Sequence, residues 1–243
     1  MARIFITGST DGLGLAAARA LVAQGHEVLL HGRSEQRLAD VRAALPAGAR
    51  TVAGDLADLA QTRELARQVE AAGPLDAVIH NAGVFTGAAI LPVNVVAPYV
   101  LTALIPRPRR LVFLSSEMHY DGRPALDGMA WDGARESASY SDSKLFVTAF
   151  AAALARRWPE VESQAVDPGW VPTKMGGPNA PDDLSLGHVT QAWLATRDDA
   201  QALESGGYWH HQQRRDPHPA VHDAAFQARL IAALQDATGI ALP

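Results

Sequence analysis

The chain has 243 residues, 48% of them hydrophobic and 19% charged, with a net charge of −5 and a pI near 6.0. That length buries a sizeable core and suits one α/β domain spanning 1–243 better than two small ones. The acidic balance leaves no electrostatic footprint for nucleic acid or anionic membrane, and the absence of cysteine excludes disulfides, thiolate metal sites and cysteine nucleophiles. The first apolar run is too short for a signal peptide, and no window reaches the roughly 18 apolar residues of a spanning helix. A cytoplasmic location with no membrane partner is therefore expected.

In chain order, "RIFIT" predicts a first strand, followed by a helix from Leu13 to Gln24 that ends near Gly25. "EVLLH" predicts a second strand, then a helix from Ser34, placed as its N-cap, to about Leu45. "RTVAG" is a third strand, and "DLADLAQTRELARQVEAAG" a helix closed by Gly73. "LDAVIHNAG" is a fourth strand, "LPVNVVAPYVLTALI" a helix interrupted by Pro98, and "RRLVFLSS" a fifth strand. A helix from Ser139 to about Trp158 precedes a sixth strand in "EVESQAVDPGW". Asp182 to Thr196 reads as a helix, "SGGYWHH" as a last short strand and "AAFQARLIAALQDATG" as the closing helix. Buried strands alternating with helices predict a doubly wound parallel sheet of about seven strands, with helices on both faces. Its functional loops then lie at the carboxyl ends of the strands.

That edge begins with "TGSTDGLG" after the first strand. Gly8, Gly12 and Gly14 allow a sharp turn and close approach to a pyrophosphate, and the following helix offers free N–H groups and a positive dipole end. The spacing G-x-x-x-G-x-G is not the general dinucleotide fingerprint, but the strand–loop–helix context is the one such a site requires. Gly8, Ser9, Thr10, Asp11, Gly12, Leu13 and Gly14 are accordingly assigned to a dinucleotide. The second strand ends in Gly32 and Arg33, with nothing acidic before Glu35. An acidic tip would repel a 2′-phosphate, whereas a guanidinium can hold one, so NADP(H) is favoured, with NAD(H) as the alternative. A solvated surface arginine is the competing reading. Tyr140 and Lys144 lie four residues apart, on one face of the helix that starts there.

The motifs "TGSTDGLG", "GDL" at 54–56, "NAG" at 81–83, "LVFLSS" at 111–116, "YSDSK" at 140–144 and "DPGWVPT" at 167–173 occur together in one order. In that order the chain resembles the short-chain dehydrogenases/reductases over almost its whole length. It is most similar to their single-domain, retinol-dehydrogenase-like branch, whose serine and tyrosine motifs are similarly far apart. The resemblance implies a Rossmann fold and an NAD(P)-dependent oxidoreductase that interconverts a carbonyl, ketone or aldehyde, and an alcohol. It implies that Asp55, with Leu56 beside it, meets the adenine, and that Asn81, Ala82 and Gly83 line the adenosine side. Asn94 then matches an asparagine whose helix distortion holds a water in a proton relay. Ser116, rather than Ser115, matches the serine that bonds the substrate oxygen, Tyr140 the acid/base and Lys144 its electrostatic partner. Pro168, Gly169, Val171 and Thr173 match the loop that holds the nicotinamide carboxamide.

In that chemistry a phenol donates the proton that the developing alkoxide needs. A lysine cation about 5 Å away would favour phenolate by roughly 3 kcal/mol at an effective dielectric near 20, lowering the tyrosine pKa by about two units. The chain departs from the family in two places. Only ten residues separate Gly83 from Asn94, a short 84–93 segment that counts against a family-type dimer or tetramer. Asp167 stands where relatives often carry histidine or asparagine. The segments between Ser116 and Tyr140 and from Trp170 to Pro181 should flank the pocket, with 170–222 as a substrate-side lid. Met118, His119, Tyr120, Trp131, Trp170 and Met175 are candidate walls, suiting a hydrophobic substrate. The histidines at 210, 211, 218 and 222 lack metal-ligand spacing, and no metal is expected. Two rival readings are a non-catalytic NADP(H) sensor or scaffold, which has no use for the four catalytic matches, and a sugar-nucleotide epimerase, which needs a larger C-terminal domain.

Overall fold

The computed structural model describes residues 1–42, 50–197 and 204–243. Eight strands form one sheet: β1 (Arg3–Ile6), β2 (Glu27–Gly32), β3 (Arg50–Ala53), β4 (Ala77–His80), β5 (Arg110–Leu114), β6 (Glu162–Asp167), β7 (Tyr208–His210) and β8 (Gln213–Arg215). Their spatial order is β3-β2-β1-β4-β5-β6-β7-β8. All neighbours run parallel except β7 and β8, which form an antiparallel hairpin. The seven-strand expectation thus holds for the wound part of the sheet, and β8 is an edge strand added to it. The order reverses direction between β1 and β4, and that switch point opens the crevice in which doubly wound folds bind ligands.

Each strand tip is placed by the helix that follows it. These helices are α1 (Gly12–Ala23), α2 (Glu35–Arg42), α3 (Leu59–Ala71), α4 (Ala97–Leu104), α5 (Tyr140–Arg157), α6 (Val189–Thr196) and α7 (Ala224–Thr238). Alternate strand residues face opposite layers. Ile4, Ile6, Leu30, Ile79 and Val112 pack against α1, α2 and α6, while Phe5, Leu29, Val78, Leu111 and Phe113 pack against α3, α4, α5 and α7. The end expected for α2 near Leu45 lies outside the described residues. Among the described residues no helix is long and apolar enough to cross a membrane.

Two expectations change. Only Val189–Thr196 of the segment read as a helix from Asp182 is helical. The preceding residues are held otherwise: Asp182 accepts the Trp170 N–H at 2.6 Å and returns its own N–H to the Trp170 carbonyl at 3.1 Å, while Asp183 caps Ser185. Side-chain bonds of this kind compete with helix formation. Pro98, expected to interrupt its helix, does so upstream. Pro92–Val96 forms a π turn in which the Ala97 N–H reaches back to Pro92, and the chain then continues as α4. The proline ring has no N–H for the Asn94 carbonyl four residues before it, and the wider turn relieves the clash.

Candidate active site

The cleft of about 330 Å³ at the carboxyl edge runs from the glycine loop to the start of α5. Gly8 and Gly12 both take positive φ, at 63° and 52°, a conformation cheap only for glycine. A Cβ on Gly8 would sit 3.0 Å from Ala82, and one on Gly14 would sit 2.4 Å from the Asn81 amide and 2.5 Å from the Gly8 carbonyl. The loop therefore needs its glycines for close packing and for an open cradle beside the α1 N-terminus. Asn81 braces it by donating to the Thr7 and Gly8 carbonyls at 2.9 and 3.1 Å. Asp11 caps α1, and its carboxylate forms an ion pair with Lys174 across the cleft mouth. That pairing offsets a negative charge which would otherwise oppose an anion at this helix start.

Gly8, Thr10, Asp11, Gly12, Leu13, Arg33, Asp55, Leu56, Asn81, Ala82, Gly83, Tyr140, Lys144, Pro168 and Thr173 all line this cleft. Six other assigned residues do not line it: Ser116, Asn94 and four that stand behind it. Ser9 is buried, and its hydroxyl bonds the Ile6 carbonyl. Gly14 packs α1 on the sheet. Val171 is buried, and Gly169 turns at φ 83° against the Asp182 carboxylate. Arg33 is 69% exposed and lies 3.9 Å from Asp55, a loose pair that holds the guanidinium weakly. Arg37 lines the same end of the cleft one helical turn further on. Sequence reading missed it, although its i+4 spacing from Arg33 was the available signal.

At the other end, Ser139 and Asp142 form a capping box that starts α5 at Tyr140. Lys144, 4% exposed, donates from Nζ to the Leu114 carbonyl at 2.6 Å and lies 5.3 Å from the Tyr140 ring centre. Ser116 lies near enough to the Tyr140 phenol to lower its pKa, and its hydroxyl caps the short turn after β5 by accepting from the Met118 N–H. Ser115 is spent on Thr148 at 2.6 Å, which leaves Ser116 as the serine facing the phenol. Asn94 lies within the π turn, and its side chain donates to the Val84 carbonyl and Ser143 and accepts the Val84 N–H.

One electrostatic expectation is overturned. Burial pushes the Tyr140 phenol up to about 12; the Ser116 bond pulls it down and the Asp167 carboxylate raises it further. Burial likewise lowers the Lys144 ammonium to about 8, with Asp167 opposing. The loss of water around the phenol outweighs the attraction of a lysine whose ammonium is turned toward a backbone carbonyl. Asp167, 5% exposed, accepts the Gly169 N–H and pairs with His210 at 3.2 Å.

Two wall candidates prove structural. His119 is fully buried; its Nδ1 bonds the Ser116 carbonyl at 2.8 Å and its Nε2 accepts the His218 N–H at 3.0 Å. Trp131 packs on Phe146. Met118, Tyr120, Trp170 and Met175 are exposed, and Phe85, not singled out from sequence, joins them with its ring 4.7 Å from that of Tyr140. Among the described residues no group of three or more His, Asp or Glu is placed to hold a metal.

An open parallel sheet with a glycine cradle at one end of a cleft and a paired phenol and ammonium at the other defines a dinucleotide-dependent oxidoreductase. Residues 2–100 match the family model for short chain dehydrogenase. The chain is 39% identical to the short-chain dehydrogenase chyC of Penicillium rubens, with 100% of both chains covered. In structure it is similar to a protein from Mycobacterium Paratuberculosis, with a TM-score of 0.84 at 24% identity over 100% of this chain and 95% of that one. It is also similar to a metagenomic blue fluorescent protein solved with NADPH, with a TM-score of 0.70 at 23% identity over 86% and 95% of the two chains. The chain belongs to the short-chain dehydrogenase/reductase family, and as such it is a nicotinamide-dependent enzyme that interconverts carbonyls and alcohols.

Proposed function

We propose that this enzyme is an NADP(H)-preferring reductase of hydrophobic ketones or aldehydes, of the retinol-dehydrogenase-like branch, with Tyr140 as its acid/base. The observation that supports this reading is the Tyr140–Lys144 pair, which shares one cleft with the glycine cradle and with Arg33 and Arg37, with Ser116 close enough to the phenol to lower its pKa. The residues present fit the cofactor: the glycine conformations and the α1 N-terminus suit a pyrophosphate, and two arginines suit a 2′-phosphate. NADPH in the related fluorescent protein is consistent with that choice. The bound nicotinamide supplies or accepts hydride.

The chain's residues do the rest. Ser116 orients the substrate oxygen, and Tyr140 gives it a proton. Lys144 limits the cost of the phenolate left behind. Asn94 fixes the 83–84 turn above Lys144, where a Cβ on Gly83 would come within 3.7 Å of Nζ. Exposed Phe85, Met118, Trp170 and Met175 supply an apolar rim; of the expected 170–222 lid, α6, β7 and β8 belong to the sheet and its packed layers, so the substrate-side cover narrows to the loop 170–187.

Titration with NADPH and NADH, followed by nicotinamide fluorescence, tests the cofactor. Preference for NADPH that Arg33→Asp reduces about tenfold or more is expected; preference for NADH would sink the assignment. Tyr140→Phe should cost about 10²–10⁴ in turnover and leave NADPH affinity intact. Because the phenol titrates near 12 and the Lys144 ammonium near 8, reduction should be flat from pH 6 to 7 and fall as pH rises through 8, whereas alcohol oxidation should rise about tenfold per pH unit up to about pH 8.

A further inference from the structure

The second strand reaches the cleft as His31, Gly32 and Arg33, and the first of these has no part in the reading above. His31 is 3% exposed. Its Nδ1 accepts the Gly8 N–H at 2.9 Å, and its Nε2 lies 2.9 Å from the Gly54 carbonyl. An acceptor at one nitrogen and a donor at the other specify the neutral ring with its proton on Nε2. The backbone adds a second tie, since the Ser9 N–H bonds the His31 carbonyl at 3.0 Å and the His31 N–H bonds the Ser9 hydroxyl at 2.8 Å. One side chain thus joins the tips of β1, β2 and β3.

We infer that His31 is the positioning residue of the glycine loop, setting the Gly8 peptide so that the cradle is preformed for the dinucleotide. Gly8 holds a positive φ of 63° and packs closely against Ala82, and its N–H turns toward the buried His31 ring, where it meets an acceptor at 2.9 Å. Imidazole Nδ1 is that acceptor, and only while the ring is neutral. The surroundings keep it so. Burial lowers its pKa, against the Gly54 carbonyl and the Asp55 carboxylate after β3, which favour the cation. From β1 the ring meets the edge of Phe5. In the glycine loop the Asp11 charge is paired with Lys174, and on its own strand Arg33 extends into solvent.

The inference rests on the cofactor reading, and two substitutions separate its parts. In His31→Asn the amide oxygen occupies the place of Nδ1 and keeps the Gly8 bond. In His31→Gln the amide reaches the place of Nε2 and keeps only the Gly54 bond. NADPH titration of the full chain should find the Asn variant within about threefold of wild type and the Gln variant about tenfold or more weaker. Amide exchange of Gly8 in the ligand-free protein should be slow in wild type and His31→Asn and faster in His31→Gln. Equal weakening in both variants, or unchanged Gly8 exchange in His31→Gln, would overturn the inference. Wild-type protein that binds neither nicotinamide cofactor would overturn the functional reading instead, and Gly8 exchange would still decide the role of His31.

Discussion

The two ends of the cleft are built by different means. The proposed cofactor end, from β1 to β4, is held through backbone groups: glycines at positive φ, a helix N-terminus, the Thr7 and Gly54 carbonyls bonded by Asn81 and His31, and the Gly8 N–H that donates to His31. The proposed substrate end is held by individual side chains: Asn94 under Val84 between β4 and β5, Ser116 and His119 on the turn after β5, and Asp182 under Trp170. Backbone cradles tolerate almost no added atom, whereas a wall of exposed side chains can change size at little structural cost. The cofactor end should therefore fail as a unit and the substrate end piece by piece.

Gly14→Ala should show the largest effect. The added methyl would meet the Asn81 amide at 2.4 Å and the Gly8 carbonyl at 2.5 Å, so α1 must move off the sheet. A loss of about 3 kcal/mol or more is expected, with NADPH binding lost alongside, measured by thermal melting and titration. A variant that melts normally and binds normally would break the contrast between the two ends.

Acid should act on what both ends share. His80, in β4 at the centre of the sheet, stacks on Phe113 at 4.6 Å, and burial lowers its pKa to about 3. The fold keeps the ring neutral while the unfolded chain takes up a proton below about 6.5. Stability is therefore complete above pH 6.5 and falls as pH drops toward 3, by about 2 kcal/mol at pH 5. Denaturant melts at pH 7 and pH 5 check this, and His80→Gln should remove the His80 share of about 2 kcal/mol while leaving the share that buried His31 and His119 add in the same direction.

Phe85→Ala addresses the substrate end alone. The ring is 46% exposed and packs on Tyr140. KM for aromatic ketones should rise about fivefold to tenfold, with NADPH affinity and melting temperature unchanged. A parallel loss of NADPH affinity would show that the two ends are not separable there.

The same division decided what was legible in the sequence. Glycine spacing, strand runs and the four-residue step from Tyr140 to Lys144 placed the sheet, the glycine loop and the phenol–ammonium pair, because each follows from backbone geometry or helix period. His31 was not legible, since a histidine within a buried strand looks the same whether it braces a loop or only packs. Asp182 was not legible either: its pairing with Trp170 spans a loop with no periodicity. The phenol's high pKa depends on how much water the completed fold removes, which spacing alone does not report.

The β7–β8 hairpin was missed for a reason that can itself be tested. His211 and Gln212 join the strands as a two-residue turn with φ of 46° and 61°. Such turns normally carry Asn-Gly, whose absence removed the signal. Two bulky residues held in the left-handed region store strain of order 1 kcal/mol or more each. Gln212→Gly keeps the backbone N–H that bonds Thr190 at 3.0 Å and relieves part of that strain. A gain of about 1 kcal/mol, or about 2–4 °C in melting temperature, is expected. Because His210 beside the turn pairs with Asp167, which raises the Tyr140 phenol, the pH profile of alcohol oxidation should be recorded on the same variant. An unchanged profile with a higher melting temperature would make the turn a tolerated local cost. A shifted profile would mean that its geometry reaches the Tyr140 phenol through His210 and Asp167.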